Sequence, residues 1–152
     1  MQLSINRESL LKAINLIAKA ADKRHNMVIL GNIKLQLSES ALILTASDLE
    51  VELTSTLKLP AGACIEAGTT TLPATKLKDI CKSLPAQAQI NLATQENERC
   101  LLTSGKSRFT LGTLPSEDYP SLGNPENITP LTISRNRLID LIHKTQFAMA
   151  IQ

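Results

Sequence analysis

The stretch LSINRESLLKAI (Leu3–Ile14) returns 128 positions later as LTISRNRLIDLI (Leu131–Ile142). Leu3, Ile5, Arg7, Leu10 and Ile14 reappear as Leu131, Ile133, Arg135, Leu138 and Ile142, while Thr132 stands for Ser4 and Ile139 for Leu11. The period of two in the first residues predicts a strand, and the three- and four-residue spacing after it predicts a helix. A weaker echo lies about halfway between. In TTLPATKLKDIC (Thr70–Cys81), Leu72, Leu77 and Cys81 stand against Ile5, Leu10 and Ile14. Each domain is therefore read as a doubled unit of strand, helix and antiparallel strands, repeated along the chain as a module.

Outward from these anchors, helices are expected over residues 7–24, 75–84 and 135–147. Period-2 alternation predicts strands at 2–5, 28–37, 41–46, 50–58, 64–72, 88–94, 98–104 and 106–114. Short turns such as Ser38-Glu39-Ser40 and Ser104-Gly105 join them, which favours antiparallel meanders over parallel crossovers. In the first helix Leu10, Ile14, Ile17 and Ala21 share one face, opposite Glu8, Lys12, Asn15 and Lys19, and Asn6 is placed to cap it. Pro115–Pro130 packs four prolines, one glycine and three acids into sixteen residues, a linker composition. A complete first domain is expected over 1–125, with linker from about 115. A second begins at 126 and is cut short at 152, because a strand and a helix alone cannot enclose a core.

Composition removes several function classes. The chain has 152 residues, 43% hydrophobic and 20% charged, the balance of a soluble globular protein. No apolar run reaches the length of a membrane span and no signal-peptide core is present, so a cytoplasmic protein is expected. Cys64, Cys81 and Cys100 match no zinc or redox spacing and read as reduced, partly buried thiols. The two histidines, His25 and His143, are far apart, and the isolated glycines form no phosphate loop. No metal or cofactor is expected. A small hydrolase using Asp48 and Glu50 is a possible enzyme reading, but these acids flank Leu49 and would face opposite ways on a regular strand.

The net charge of +2 is unevenly placed. The three predicted helices carry +3, +2 and +2, which leaves −5 on everything else. The chain is polarised, with basic helices and acidic strands and loops. With aromatic residues at only 2%, a base-stacking platform for single strands is disfavoured.

Several stretches together resemble the bacterial DNA polymerase III beta subunit, the sliding-clamp family. They are VILGNI (Val28–Ile33), LILTASDLEVEL (Leu42–Leu53), LKDICKSLP (Leu77–Pro85), SGKSRFTLGTLPSEDYP (Ser104–Pro120) and the start of a second domain at Thr145–Ala150. The likeness runs along essentially the whole chain. It implies an α+β DNA-clamp fold, with helices toward the DNA-facing side and sheet outside. Family clamps carry three such domains per chain, and two chains close head-to-tail into a ring around double-stranded DNA. This chain would hold the first domain and the beginning of the second, with the third absent. The implied function is that of a non-catalytic processivity factor, which tethers the replicative polymerase without reading sequence. Polymerases and the clamp loader would dock on parts this chain lacks.

By the same resemblance, the family's DNA-contacting loop arginine falls on Arg24 and its loop glutamine on Gln152. Lys12, Lys78, Lys82, Arg135 and Arg137 are added as DNA contacts from helix position and charge; a solvated helix face is the plainer reading of each. At the ring seam, Phe109 and Leu111 match the family's apolar contacts, and Lys76, Arg99, Lys106 and Arg108 its ionic ones. The plainer reading is that Phe109 and Leu111 are core and that the cations merely guard an edge strand. Two departures stand out: Thr75 occupies a place where another basic residue is expected, and DKRHNM (Asp22–Met27) lacks the prolines common in relatives. A free-standing nucleic-acid-binding or interaction module that shares the fold without forming rings is the alternative function.

Overall fold

Strand β1 (Gln2–Asn6) enters helix α1 (Arg7–Ile17) through Asn6, whose side-chain oxygen accepts from the N–H groups of Glu8 at 2.9 Å and Ser9 at 3.4 Å. Two of the helix's unpaired N-terminal donors are thereby satisfied. The chain is known here from a computed structural model describing residues 1–21, 27–123 and 131–149. It divides into two compact units, Met1–Leu122 and Gly123–Gln152.

After α1 come β2 (Asn32–Leu37), β3 (Ala41–Ser47) and β4 (Glu52–Lys58). A short β5 (Cys64–Glu66) follows, then a second round: β6 (Gly68–Pro73), α2 (Ala74–Ser83), β7 (Gln89–Gln95), β8 (Arg99–Ser104) and β9 (Ser107–Gly112). The doubling expected from the echo is thus visible as strand, helix and three-strand meander, twice over. The leading strands change places. β1 joins the second meander in a sheet ordered β5-β1-β7-β8-β9, and β6 joins the first in a sheet ordered β4-β3-β2-β6. Every pairing is antiparallel.

The repeat positions fill the core. Leu3, Leu10, Ile14, Leu72, Leu77 and Cys81 are completely buried, together with Ile33, Leu35, Leu42, Leu44, Ile90, Leu92 and Leu102 from the sheets. Helix α1 buries Leu10, Ala13, Ile14 and Ile17 and packs beside α2, which buries Ala74, Leu77 and Cys81. Each large aliphatic side chain so placed contributes about 1.5–3 kcal/mol relative to exposure.

Three expected boundaries are corrected. The first helix does not run to residue 24: it ends at Ile17 and tightens into a 3-10 turn over Ala18–Ala20. Val28–Gly31, expected as strand, is also a 3-10 turn. Its adjacent residues Ile29 and Leu30 are both buried while Val28 is 79% exposed, which a strand's alternation cannot deliver. The strand expected over 64–72 is two strands in different sheets, with the corner at Ala67 and Gly68. A Cβ on Gly68 would lie 3.1 Å from that of Met1, so the corner is a place of close approach.

The proline-rich stretch is pinned to the sheet in its first half. The buried Tyr119 hydroxyl accepts from the Ser47 N–H at 3.1 Å and donates to the Asn32 carbonyl at 3.2 Å. The Thr71 hydroxyl donates to the Leu114 carbonyl at 2.9 Å and accepts from the Leu114 N–H at 3.0 Å, while the Asn32 side-chain amide donates to the same Thr71 oxygen. The Leu122 N–H reaches the Glu52 carboxylate at 3.3 Å. In the second unit, α3 (Arg135–Thr145) starts from Ser134, whose hydroxyl accepts from the Arg137 N–H.

Tyr119→Phe keeps the ring but strands a buried N–H and a buried carbonyl. It is expected to cost roughly 1–3 kcal/mol, read as a lower urea midpoint with unchanged slope.

Candidate nucleic-acid interface

Helical geometry sorts the cations of α1 and α2. At about 100° per residue, Lys12 lies opposite the buried Leu10–Ile14 face, beside Glu8 and Asn15. Lys12, and Lys19 in the turn that follows, are not part of the core; Leu16, at 64% exposure, is an apolar side chain on the same polar side. On α2, Lys78 and Lys82 stand one turn apart on one flank, Lys78 half-buried and Lys82 exposed, and Lys76 is exposed on the other flank. Thr75 and Asp79 occupy the outward centre of α2, so its positive charge lies to either side of an acid. On α3, Arg135 and Arg137 are exposed. Arg24 and Gln152 fall outside the described residues, as does His25.

Arg7 behaves differently. Its Nε donates to the Cys81 carbonyl at 2.6 Å and its Nη2 to the Lys82 carbonyl at 3.3 Å, so the guanidinium closes the C-terminus of α2. The Ile80 carbonyl accepts from the Leu84 N–H and the Ser83 hydroxyl. A cation there meets the negative end of the helix and carbonyls that have no partner within it. Sequence reading missed this role, because nothing local to Arg7 announces a helix end 74 residues away in the chain.

Lys106, Arg108, Phe109 and Leu111 lie on or beside β9, an edge strand hydrogen-bonded to β8 on one side, while Arg99 is on β8 and Lys76 on α2. The Thr113 N–H donates to the Glu98 carbonyl at 2.8 Å. By antiparallel alternation, residues 109 and 111 therefore bond inward to β8, and 108, 110 and 112 turn their backbone groups to the open edge. Gly105, at φ +55, is the first of two loop residues closing the hairpin, where a left-handed conformation is required. Arg99, Lys106 and Arg108 are exposed. Phe109 is half-buried and packs against the core, whereas Leu111 is only 5% exposed and belongs to it. Leu111 therefore presents almost no surface to a partner.

The acids of the enzyme reading form a turn. The Asp48 carboxylate accepts from the N–H groups of Glu50 at 3.0 Å and Val51 at 2.7 Å, and Leu49 between them takes φ 75. Asp48 is committed to the β3–β4 connection, with Glu50 exposed. Among the described residues, no three of His, Cys, Asp or Glu converge as metal ligands, and no helix is long and apolar enough to cross a membrane.

The sequence profile described as DNA polymerase III beta subunit, N-terminal domain, matches residues 1–123. The chain belongs to that family. Across all 152 residues it is 42% identical to the beta sliding clamp of Haemophilus influenzae and 40% identical to that of Escherichia coli K12. It spans only 41% of the length of either relative. Among solved structures, a Pseudomonas aeruginosa sliding clamp bound to griselimycin superposes with a TM-score of 0.91 at 41% identity. Caulobacter crescentus pol III beta does so at 0.90 and 32%. Each match covers all of this chain and 40% of the other. The α+β clamp fold of the beta subunit family is therefore established for this chain.

The thiols take no part in the basic surface. Burial pushes Cys81 from 9.0 up to about 11, partly opposed by the Arg7 charge, and burial likewise raises Cys100 from 9.0 to about 11. Burial also raises the Tyr119 phenol. Between those values the folded chain keeps both thiols protonated where the unfolded chain has lost those protons. Their contribution is full below about pH 9 and is lost as pH climbs toward 11. The fall in urea midpoint over that range should be shallower in a Cys81→Ala/Cys100→Ala variant than in the parent. At neutral pH a maleimide should modify half-buried Cys64 first.

Proposed function

We propose that the chain is the N-terminal part of a replication processivity factor. Residues 1–125 form one complete clamp domain, and 126–152 begin a second. In a protein of the relatives' length, two subunits joined head-to-tail encircle double-stranded DNA and tether the replicative polymerase. Chemistry belongs to the polymerase, no cofactor is needed, and the location is cytoplasmic. Polymerases and the clamp loader dock on the later domains.

The observation that carries this reading is the sidedness of the first unit. Its two helices bury one face against sheet, with Lys12 turned away from the core and Lys78, half-buried, and Lys82, exposed, along one flank of α2. Such a surface attracts phosphate without reading bases, so a ring lined by it can slide. Arg137 of α3 joins this set. For Arg24 and Gln152 the support is the family resemblance. At the seam, the open edge of β9 offers Arg108 and Thr110 to a partner strand, with Phe109 beneath it and Leu111 behind. Lys76, Arg99 and Lys106 supply charges for acids on the partner subunit.

Retention on a circle is the deciding measurement. A protein of the relatives' length, loaded onto nicked circular plasmid, is expected to co-elute with the DNA and to be released when the plasmid is linearised. Residues 1–152 alone are not expected to be retained on either form. Release that does not depend on linearisation would rule out encirclement. Replacing Lys12, Lys78 and Lys82 with alanine should flatten the dependence of log Kd on log salt by about 0.9 for each phosphate no longer neutralised.

A further inference from the structure

We infer that Arg135 is a helix-capping arginine of the second domain, and not the DNA contact its charge suggests. Arg7 sets the precedent, its guanidinium closing α2 through the Cys81 and Lys82 carbonyls. Arg135 occupies the same place in the repeat, and the helix boundaries give the same register independently of residue identity. Helix α1 runs Arg7–Ile17 and is followed by a 3-10 turn at Ala18–Ala20; α3 runs Arg135–Thr145 and is followed by one at Gln146–Ala148. All four boundaries are displaced by the 128 positions of the sequence repeat. Each helix also begins right after a side-chain cap, Asn6 or Ser134.

Direction supports the assignment. Seven residues make nearly two helical turns, so Arg7 lies within about 20° of Ile14 around the axis, and Arg135 within the same angle of Ile142. Both arginines thus sit on the apolar side, whereas Lys12 lies roughly opposite it and Arg137 lies on its flank, about 100° from Leu138 and on the side away from Arg135. That side of α1 is sealed: Leu10, Ala13 and Ile14 are at most 1% exposed. On α3 the counterparts Leu138, Leu141 and Ile142 are 46%, 45% and 50% exposed, presenting the seat that α1 fills with sheet and helix. The inference rests on the clamp reading in one respect: the helix that Arg135 caps comes from the remainder of a second domain built like the first. An arginine suits the role because its rigid fork serves two consecutive carbonyls, which a lysine cannot do in the same way.

The test compares Arg135→Ala, Arg135→Lys and Arg137→Ala in a protein of the relatives' length. Its readouts are thermal unfolding and the salt dependence of duplex binding. Arg135→Ala is expected to lower the unfolding midpoint by roughly 5 °C and to leave the salt slope unchanged. Arg135→Lys should recover only part of that loss. Arg137→Ala should flatten the slope by about 0.9 with little change in melting. A flattened slope in Arg135→Ala, rescued by lysine, would overturn the inference, as would an unmoved midpoint. If the parent protein shows no retention on circular DNA, the clamp reading fails by itself, and the melting comparison still reports on Arg135.

Discussion

Strand β1 lies between β5 and β7, and β6 lies beside β2, so each half of the first unit completes its sheet with a strand from the other half. Neither meander is covered by its own leading strand. The hydrogen bonds of β1 are satisfied only once β7 is present, some eighty residues further on, and those of β6 only against β2. The fold is thereby cooperative across its full length. The two helices follow from the exchange, because each is the crossover that carries the chain from a strand in one sheet to a meander in the other. Their packing side by side, with Arg7 closing the end of α2, is the inner consequence of a sheet arrangement made outside.

This arrangement explains how a chain with little net charge acquires a basic face. The helices need only one side for the core, and the residues on the other side carry no packing duty. Lys12 and Lys82 can be cationic there at negligible cost to stability, since solvated side chains keep their hydration. Asp79 and Glu8 among them reduce the net positive charge of that face.

Much of this was legible in the sequence, for identifiable reasons. The repeat Leu3–Ile14 and Leu131–Ile142 set the helix register, α1 and α3 starting 128 positions apart, but the strand it predicted before α3 is not formed over residues 131–134, where Leu131 and Ile133 are exposed. Antiparallel meanders were legible because the connecting turns are short. What escaped detection depends on contacts between distant residues. Val28–Gly31 has the composition of a strand, and only the joint burial of Ile29 and Leu30 makes it a 3-10 turn. The break between β5 and β6 is set by which sheet each half joins, not by local preference. Arg7 and Lys12 look alike as charges five residues apart; their different roles come from the face of the helix each occupies. Phe109 and Leu111 share a strand face, yet Leu111 is sealed and Phe109 is not.

The free edge of β9 constrains the symmetry of whatever assembles there. Lys106 and Arg108 are its charged residues, and no acid occurs from Gly105 to Gly112. If this edge met its own copy about a two-fold axis near Arg108, four cations would gather with no acid on the strand to neutralise them. Like charges across paired strands are destabilising, so an isologous pairing is disfavoured. The edge is suited instead to a different surface bearing acids. Contacts between unlike surfaces are polar in direction: each subunit keeps one unsatisfied end until the rotation brings the last edge back to the first. A few cations on one short strand thus weigh against simple pairing of this edge with its own copy.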